Sequence, residues 1–172
     1  MDSEPGANAR PDRDAGPPRL VPDRHASFLV VALANRLSAS ASRAYMRKFG
    51  VGVMEWRAMA LLAANPGITA NQIAQISGVD KSAVSRAIHL LIRRGDVTAI
   101  EDHTDNRRAL LTLTPSGVAL HDRIIFASLE RERLLLDGLN DKERSVLFSL
   151  LKRLNANMTL VSAHEPVKDP AA

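Results

Sequence analysis

The side chains best suited to contacting a partner are polar groups spaced three or four residues apart within residues 81–91. Groups at that spacing share one face of a helix. Hydroxyls reach phosphates and base edges without bulk, and an arginine can bond both O6 and N7 of guanine. This face therefore suits the major groove of DNA. Its members are Lys81 in the first turn, then Ser82, Ser85, Arg86 and His89.

The elements that must position this face are two short helices joined by a tight turn. Thr69 can cap the first helix, and Gln72 can return the hydrogen bond, as in a capping box. Gly78 can end that helix in the left-handed conformation, and Asp80 can cap the next one. The pattern predicts a helix-turn-helix, although an ordinary solvated helical hairpin has the same residue types. The apolar positions that should anchor the second helix on a core are Val84, Ile88 and Leu91.

Two alternating segments follow, at 97–100 and 108–113, and the polar turn between them predicts a β-hairpin. A hairpin after a helix-turn-helix makes a winged helix. An arginine on the tip of the wing can enter the minor groove, whose negative potential deepens as it narrows. A charged loop is usually only solvated, but its position beside the polar helix face favours a DNA contact. The residues expected at the tip are Asn106, Arg107 and Arg108 as contacts and Asp105 as its organiser, since phosphate would repel a carboxylate.

Long helices with wide apolar faces lie on both sides of the winged unit. Such faces exceed what one small domain can cover, and an exposed apolar helix face indicates a partner. A twofold homodimer would suit a pseudo-palindromic DNA site. The expected domains are a disordered tail at 1–20, a winged helix-turn-helix at 51–114, a helical dimerisation region at 21–50 and 115–163, and a second disordered tail at 164–172.

A candidate site for a small-molecule effector lies on the first long helix. Ser38, Ser42 and Tyr45 are three or four residues apart there, and Trp56 of the next helix could close the space beside them. Two hydroxyls, a phenol and an indole suit a planar aromatic ligand with a polar substituent. Alternatively, the small residues merely let two helices pack closely, with Trp56 in the core.

Composition excludes several other functions for this chain of 172 residues. Cysteine is absent and the five histidines are scattered, so disulfides, thiolate chemistry and a metal site are not expected. We find no nucleophile motif, phosphate loop or paired carboxylates, so we expect neither an enzyme nor a cofactor. No apolar run is long enough to span a membrane and the Pro-rich N-terminus is unlike a signal peptide, which predicts a cytoplasmic protein.

The net charge does not identify the partner. A formal charge of +4 permits nucleic acid as a partner, but the charges within 80–108 are nearly balanced. Only the sidedness of the basic groups favours DNA.

The wing also carries a family signature. Asp105-x-Arg107, five further residues and then Leu113-Thr114 match the pattern DxRxxxxxLT, and the chain resembles the MarR family of bacterial transcription regulators. Trp56 and the helix order are similar too, over about residues 25–161. The resemblance implies a triangular homodimer that represses nearby genes and releases DNA when a small molecule binds between its lobes and its dimerisation helices. Many such effectors are aromatic carboxylates, phenols or their thioesters.

The resemblance assigns roles by position. Ser82, Ser85, Arg86 and His89 would face the major groove, Arg107 the minor groove, and Asp105 would hold the wing. Family members that sense peroxide use a cysteine, which this chain lacks.

The sequence thus predicts a mainly α protein: a winged helix-turn-helix with long N- and C-terminal dimerisation helices and one wing hairpin. The expected function is sequence-specific DNA binding by a repressor that an effector releases. The alternative is a winged-helix DNA-binding protein without ligand control, either architectural or an activator.

Overall fold

The computed structural model of the protein is mainly helical, with one two-stranded antiparallel hairpin, which confirms the predicted fold class. It describes residues 19–102 and 105–165, with the backbone alone at residues 101, 102 and 105–108. A 3-10 turn at Pro22–Arg24 precedes the first long helix. Along the chain the elements are α1 Ala26–Phe49, α2 Val53–Ala64, α3 Ala70–Ser77, α4 Lys81–Arg93, β1 Val97–Asp102, β2 Asp105–Leu113, α5 Pro115–Leu135, α6 Asp141–Ala156 and α7 Met158–Ala163.

The helix-turn-helix of α3 and α4 forms through the predicted local interactions. The hydroxyl of Thr69 accepts from the backbone N–H of Gln72 at 3.2 Å, and the Gln72 side chain accepts from the Thr69 N–H at 2.8 Å. Gly78 ends α3 with a φ of 64°, a conformation that glycine adopts without steric cost. Asp80 then caps α4 by accepting from the N–H groups of Ser82 and Ala83.

The hairpin is longer than the sequence pattern indicated. Val97 pairs with Leu113 and Glu101 with Ala109, and a β-bulge between Glu101 and Asp102 shifts the register. Because the bulge lets pairing continue, β2 begins at Asp105 rather than near residue 108. An isolated bridge from Ile68 to Leu111 joins the segment before α3 to the hairpin.

The core is mainly aliphatic and lies between α1, α2, α3, α4, α5 and the hairpin. Trp56 and Met59 of α2 are buried, together with Ile73 of α3 and Leu91 of α4. The apolar spacing of α3 predicts an inward Ile76, but this side chain is 59% exposed. The inward side of α3 runs through Ala70, Ile73, Ala74 and Ser77, so Ile76, two positions after Ala74, points away from the core.

The C-terminal region contains two helices where the sequence pattern predicts one. The break is at Asn157, which ends α6 and precedes α7. Neither helix buries a side chain within its own chain. The apolar side chains exposed on α1, α5, α6 and α7 include Phe28, Leu29, Val31, Leu33, Phe126, Leu129, Leu134, Val146, Phe148, Leu151, Leu154, Met158 and Val161.

The connection between the hairpin and α5 is short and closely packed. Thr114 caps α5 by accepting from the N–H of Gly117 at 3.1 Å, and its own N–H donates to the carbonyl of Asp96 at 3.1 Å. A Cβ atom at Gly117 would overlap that same carbonyl oxygen. Only glycine therefore lets α5 start against residue 96.

Candidate nucleic-acid interface and effector cavity

The outer face of α4 carries a polar stripe. Its inner face is buried at Val84, Ala87, Ile88 and Leu91, as the apolar spacing predicts. Opposite these side chains, the exposed positions follow a 4-3-4 spacing and so share one side of the helix. Four exposed positions with this spacing are Ser82, Arg86, His89 and Arg93, and Ser85 is exposed beside them. Arg93 was not among the residues predicted for this face. In the sequence it is typical of the cationic C-terminal end of a helix, but its four-residue distance from His89 could have indicated that it shares the same side.

The first turn of α4 holds Arg86 in place. The Ser82 hydroxyl donates to Asp80 and accepts from Nη1 of Arg86 at 3.1 Å. The pKa of Asp80 is lowered, first by the Ser82 hydroxyl, then by the two backbone N–H groups, with a further contribution from the charge of Arg86. Asp80 is thus ionised at neutral pH. Because the Ser82 proton is already donated, Ser82 orients Arg86 and has only acceptor capacity left for a partner.

A groove of about 770 Å³ runs between α3, α4 and the hairpin. Ser85 and His89 line its α4 side, while Asn71 and Gln75 line its α3 side. From the sequence alone, α3 is expected only to support α4. The four-residue spacing of Asn71 and Gln75 in the sequence could have indicated that both amides share one side of α3. Amide side chains can bond adenine edges or phosphates, so the groove suits nucleic acid chemically.

The remaining predicted DNA contacts are at the two ends of the interface. Lys81 is exposed at the first position of α4. The backbone at residues 105–108 forms the start of β2, where the chain enters the second strand of the hairpin. The side chains of Asp105, Asn106, Arg107 and Arg108 lie outside the described residues, so their roles stay predictions.

A cavity of about 290 Å³ lies between α1, α2 and α5, and we call it the effector cavity. Ser38, Tyr45 and Trp56 line it, together with Ala41. Ser42 does not, because it lines a separate cavity of about 260 Å³ beside Arg86. Successive helical residues point about 100° apart, so Ala41 takes the position toward the effector cavity and Ser42 faces α4.

Two arginines missed by the sequence analysis also line the effector cavity. Nη2 of Arg57 donates to the hydroxyl of Ser38 at 2.8 Å, and Nη2 of Arg131 donates to the hydroxyl of Ser40 at 3.1 Å. The Arg131 guanidinium also lies 5.9 Å from the ring centroid of Tyr45. No local signal could have found them, since Arg131 and Ser40 are 91 residues apart. Glu132 lines the cavity as well, so two guanidinium groups face one carboxylate and leave the lining with one net positive charge for an anion.

The aromatic wall of the cavity is part of the core. Tyr45 meets Trp56 edge-on at 6.0 Å between ring centroids, and Trp56 stacks on His121 at 5.4 Å. Tyr45 is 3% exposed and Trp56 is 7% exposed. The wall is therefore rigid and presents only a small aromatic surface to a ligand.

The described parts of the chain offer neither a metal site nor a membrane-spanning helix. In residues 19–102 and 105–165 no group of three or more His, Cys, Asp or Glu side chains is placed to hold a metal ion. Among the helices described there, none is both long and apolar enough to cross a membrane.

A helix-turn-helix with a hairpin behind its exposed polar helix defines the winged-helix class of nucleic-acid-binding folds. Residues 49–108 match the profile of the MarR family. A crystal structure of a MarR/EmrR family transcriptional regulator from Acinetobacter sp. ADP1 superposes with a TM-score of 0.77 at 33% identity, covering 82% of this chain and 99% of that one. The chain belongs to the MarR family.

Two sequence relatives are also named as transcription regulators. The regulator PecS of Dickeya dadantii (strain 3937) is 26% identical over 157 residues, which cover 88% of this chain and 89% of PecS. A Thauera aromatica protein named as a transcriptional regulatory protein for the hcr operon is 34% identical over 94 residues. That second match spans 55% of this chain and only 57% of the Thauera protein.

Proposed function

We propose that this chain is a sequence-specific DNA-binding repressor that works as a homodimer and leaves its operator when a small aromatic anion binds. The observation that carries the proposal is the outward stripe of α4 at Ser82, Arg86, His89 and Arg93, next to an amide-lined groove. A helix with this face suits the major groove, where Arg86 is the natural partner of a guanine.

The wing would extend the interface into the minor groove. Arg107 is the proposed minor-groove contact, and Asn106 and Arg108 would bond the adjacent backbone. Asp105 would organise the tip. Contacts of this kind report mainly on groove width and on A·T against G·C pairs, so they add affinity more than sequence discrimination.

A second copy of the chain would cover the apolar faces of α1, α5, α6 and α7. Leu151 and Leu154 of α6 are nearly half exposed, and α6 buries nothing in its own chain. Apolar area of this extent favours association with a partner. A twofold dimer would hold two α4 helices about one helical turn of DNA apart, which matches a pseudo-palindromic operator.

The effector cavity would take a planar aromatic acid. Arg57 and Arg131 would bind the carboxylate, while Tyr45 and Trp56 would contact the ring. A ligand that binds the DNA-free dimer better than the DNA-bound one must lower DNA affinity by the same factor. Ligand binding between α1, α2 and α5 thus would end repression without touching the DNA-contacting face.

A second candidate is a DNA-binding regulator without ligand control. Both arginines of the cavity already hold hydroxyl partners, and its aromatic wall is core. On that view the cavity is a packing gap between helices.

The test is to map the DNA bound by the full chain across a genome and then measure affinity for a recovered site. Specific binding that falls on addition of benzoate or 4-hydroxybenzoate, used as probes, would support the proposal. Specific binding that no aromatic acid changes would favour the second candidate. Equal binding to recovered and random DNA would contradict both.

A further inference from the structure

The side chain of Arg94, directly after α4, joins two distant parts of the chain. Its Nη1 donates to the carbonyl of Gly50 at 2.7 Å, and its Nε lies 3.0 Å from Oδ2 of Asp96. Gly50 is the left-handed residue that ends α1. The guanidinium therefore connects the C-terminal end of α4 to the C-terminal end of α1.

The residues after Arg94 bind the start of α5 in the same way. The carbonyl of Gly95 accepts from the hydroxyls of Thr114 at 2.6 Å and Ser116 at 2.9 Å. The carbonyl of Asp96 accepts from the N–H of Thr114. The C-terminal end of α4 is thus fixed both to α1 and to α5, the two helices that continue out of the winged unit.

The electrostatics explain why an arginine stands here. The carbonyl of Gly50 is at the negative end of α1, where a cation is stabilised. The Asp96 side chain is only 9% exposed, so it needs a cationic neighbour. The guanidinium gives Gly50 a hydrogen bond and gives Asp96 an opposite charge at 3.0 Å, although Oδ2 of Asp96 accepts no hydrogen bond within the described residues.

We propose that Arg94 is a positioning residue that sets the angle of α4 relative to α1 and α5. This inference rests on the proposed function, because in a dimer that angle fixes how the two α4 helices are spaced and aligned. One lobe on a single half-site needs no fixed angle to its partner. Two lobes on a complete operator do need a fixed angle, because binding of the second lobe adds affinity only when the dimer already holds it in the right place.

The experiment compares Arg94→Ala with the parent on a complete operator and on a duplex with one half-site. We expect half-site affinity within about twofold of the parent and full-site affinity lower by about tenfold or more. Arg94→Ala should also discriminate less well than the parent between the full site and duplexes in which one base pair is added or removed between the half-sites. Arg94→Lys keeps a donor for Gly50 and should recover part of the loss, and circular dichroism checks that both variants fold.

The neighbouring arginine provides the matched control. Arg93→Ala removes an exposed cation of the DNA-contacting face, so it should weaken both duplexes and lower the slope of log affinity against log salt by about one. Arg94→Ala should leave that slope unchanged. Equal losses on both duplexes with a lower slope would make Arg94 a phosphate contact, and unchanged binding to both would also overturn the inference.

A measurement without DNA separates this inference from the proposed function. The chain has no cysteine, so Lys81→Cys gives one spin label at the start of each α4. The distance distribution between labels in the DNA-free dimer should broaden when Arg94→Ala is added. DNA binding is judged on the unlabelled parent, because the label replaces a proposed DNA contact. Broadening, with a parent that binds no specific DNA, would refute the function and retain the positioning role, while an unchanged distribution would refute the positioning role.

Discussion

The guanidinium of Arg57 on α2 donates a 2.8 Å hydrogen bond to the hydroxyl of Ser38 on α1, and this pair stands between two cavities. One is the effector cavity, and the other, of about 630 Å³, reaches the turn of the helix-turn-helix at Ser77, Gly78 and Val79. Ser38, Trp56 and Arg57 line both. A ligand anion that draws Arg57 away from Ser38 would therefore change the contact between α1 and α2 next to the DNA-binding turn.

Arg57→Gln should weaken the binding of an aromatic carboxylate. A hydrogen bond to a charged group contributes about 1.5–3 kcal/mol, so the loss should be roughly ten- to hundredfold, measured by calorimetry with benzoate. Ser38→Ala leaves the cation in place and should change affinity little or improve it, because the arginine loses a competing partner. If Ser38→Ala proved as damaging as Arg57→Gln, the hydroxyl would be the ligand contact and the charge would be incidental.

Filling the effector cavity should separate DNA binding from release. Ala41→Phe places a ring in the cavity, so the protein should still bind its operator but no longer release it when an aromatic acid is added. Ser42→Phe is the control, because it adds the same ring at the next residue, which lies outside the cavity. In this variant the ratio of DNA affinity without ligand to DNA affinity with ligand should equal that of the parent. A normal ratio in Ala41→Phe, in a folded protein, would locate the ligand site elsewhere.

The two arginines of the α4 face should make different contributions to DNA binding, Arg86 to base discrimination and Arg93 to phosphate contact. Arg86→Ala should cost about 1–3 kcal/mol on the operator and relax discrimination at one base position per half-site. Arg93→Ala should weaken operator and random DNA alike and lower the salt slope by about one. Ser82→Ala should reproduce part of the Arg86 effect, since Ser82 holds that guanidinium. Competition titrations over a set of single-base operator variants measure all three, and equal losses by Arg86→Ala on every duplex would reduce it to a phosphate contact.

The wing should contribute affinity with little base discrimination in the major groove. Arg107→Ala should weaken binding to every operator variant by a similar factor, because the minor groove distinguishes mainly A·T from G·C. Asp105→Ala should weaken binding as well, by loosening the tip. Tighter binding by Asp105→Ala than by the parent would mean that the carboxylate only repels phosphate.

Dimerisation should depend on the apolar side of α6. Leu151→Glu should raise the dimer dissociation constant, since burying one leucine contributes about 1.5–3 kcal/mol, or roughly ten- to hundredfold. The monomer should keep its winged unit folded, because the Leu151 side chain is 43% exposed and is not part of the core. Lys152→Glu changes the charge of the same helix and serves as the control. The dimer dissociation constant is measured by light scattering over a range of concentrations. A value for Leu151→Glu equal to that of the parent would show that the interface does not include this side of α6.

Features set by neighbours in the sequence were predictable. The caps at Thr69, Asp80, Thr114 and Asn140 depend on residues within a few positions, and each forms as its residue types indicate. The buried stripe of α4 follows directly from helical spacing.

Features set by tertiary packing were not predictable. Whether Ala41 or Ser42 faces the effector cavity depends on a rotation of one residue, which the position of α5 decides. Arg131 reaches Ser40 across most of the chain, and no periodicity connects them. The exposed Ile76 also shows that an apolar residue three positions after a buried one can lie outside the buried side of its helix.

The contact between Gly117 and the carbonyl of Asp96 limits how this chain can vary. The obstructing atom belongs to the backbone, so no change of side-chain rotamer can make room for a Cβ atom. In a saturation library selected for folded protein, position 117 should accept glycine alone, while its exposed neighbours on α5 tolerate many residues. Gly117 would then look as restricted as a DNA contact, although its restriction comes only from the start of a helix.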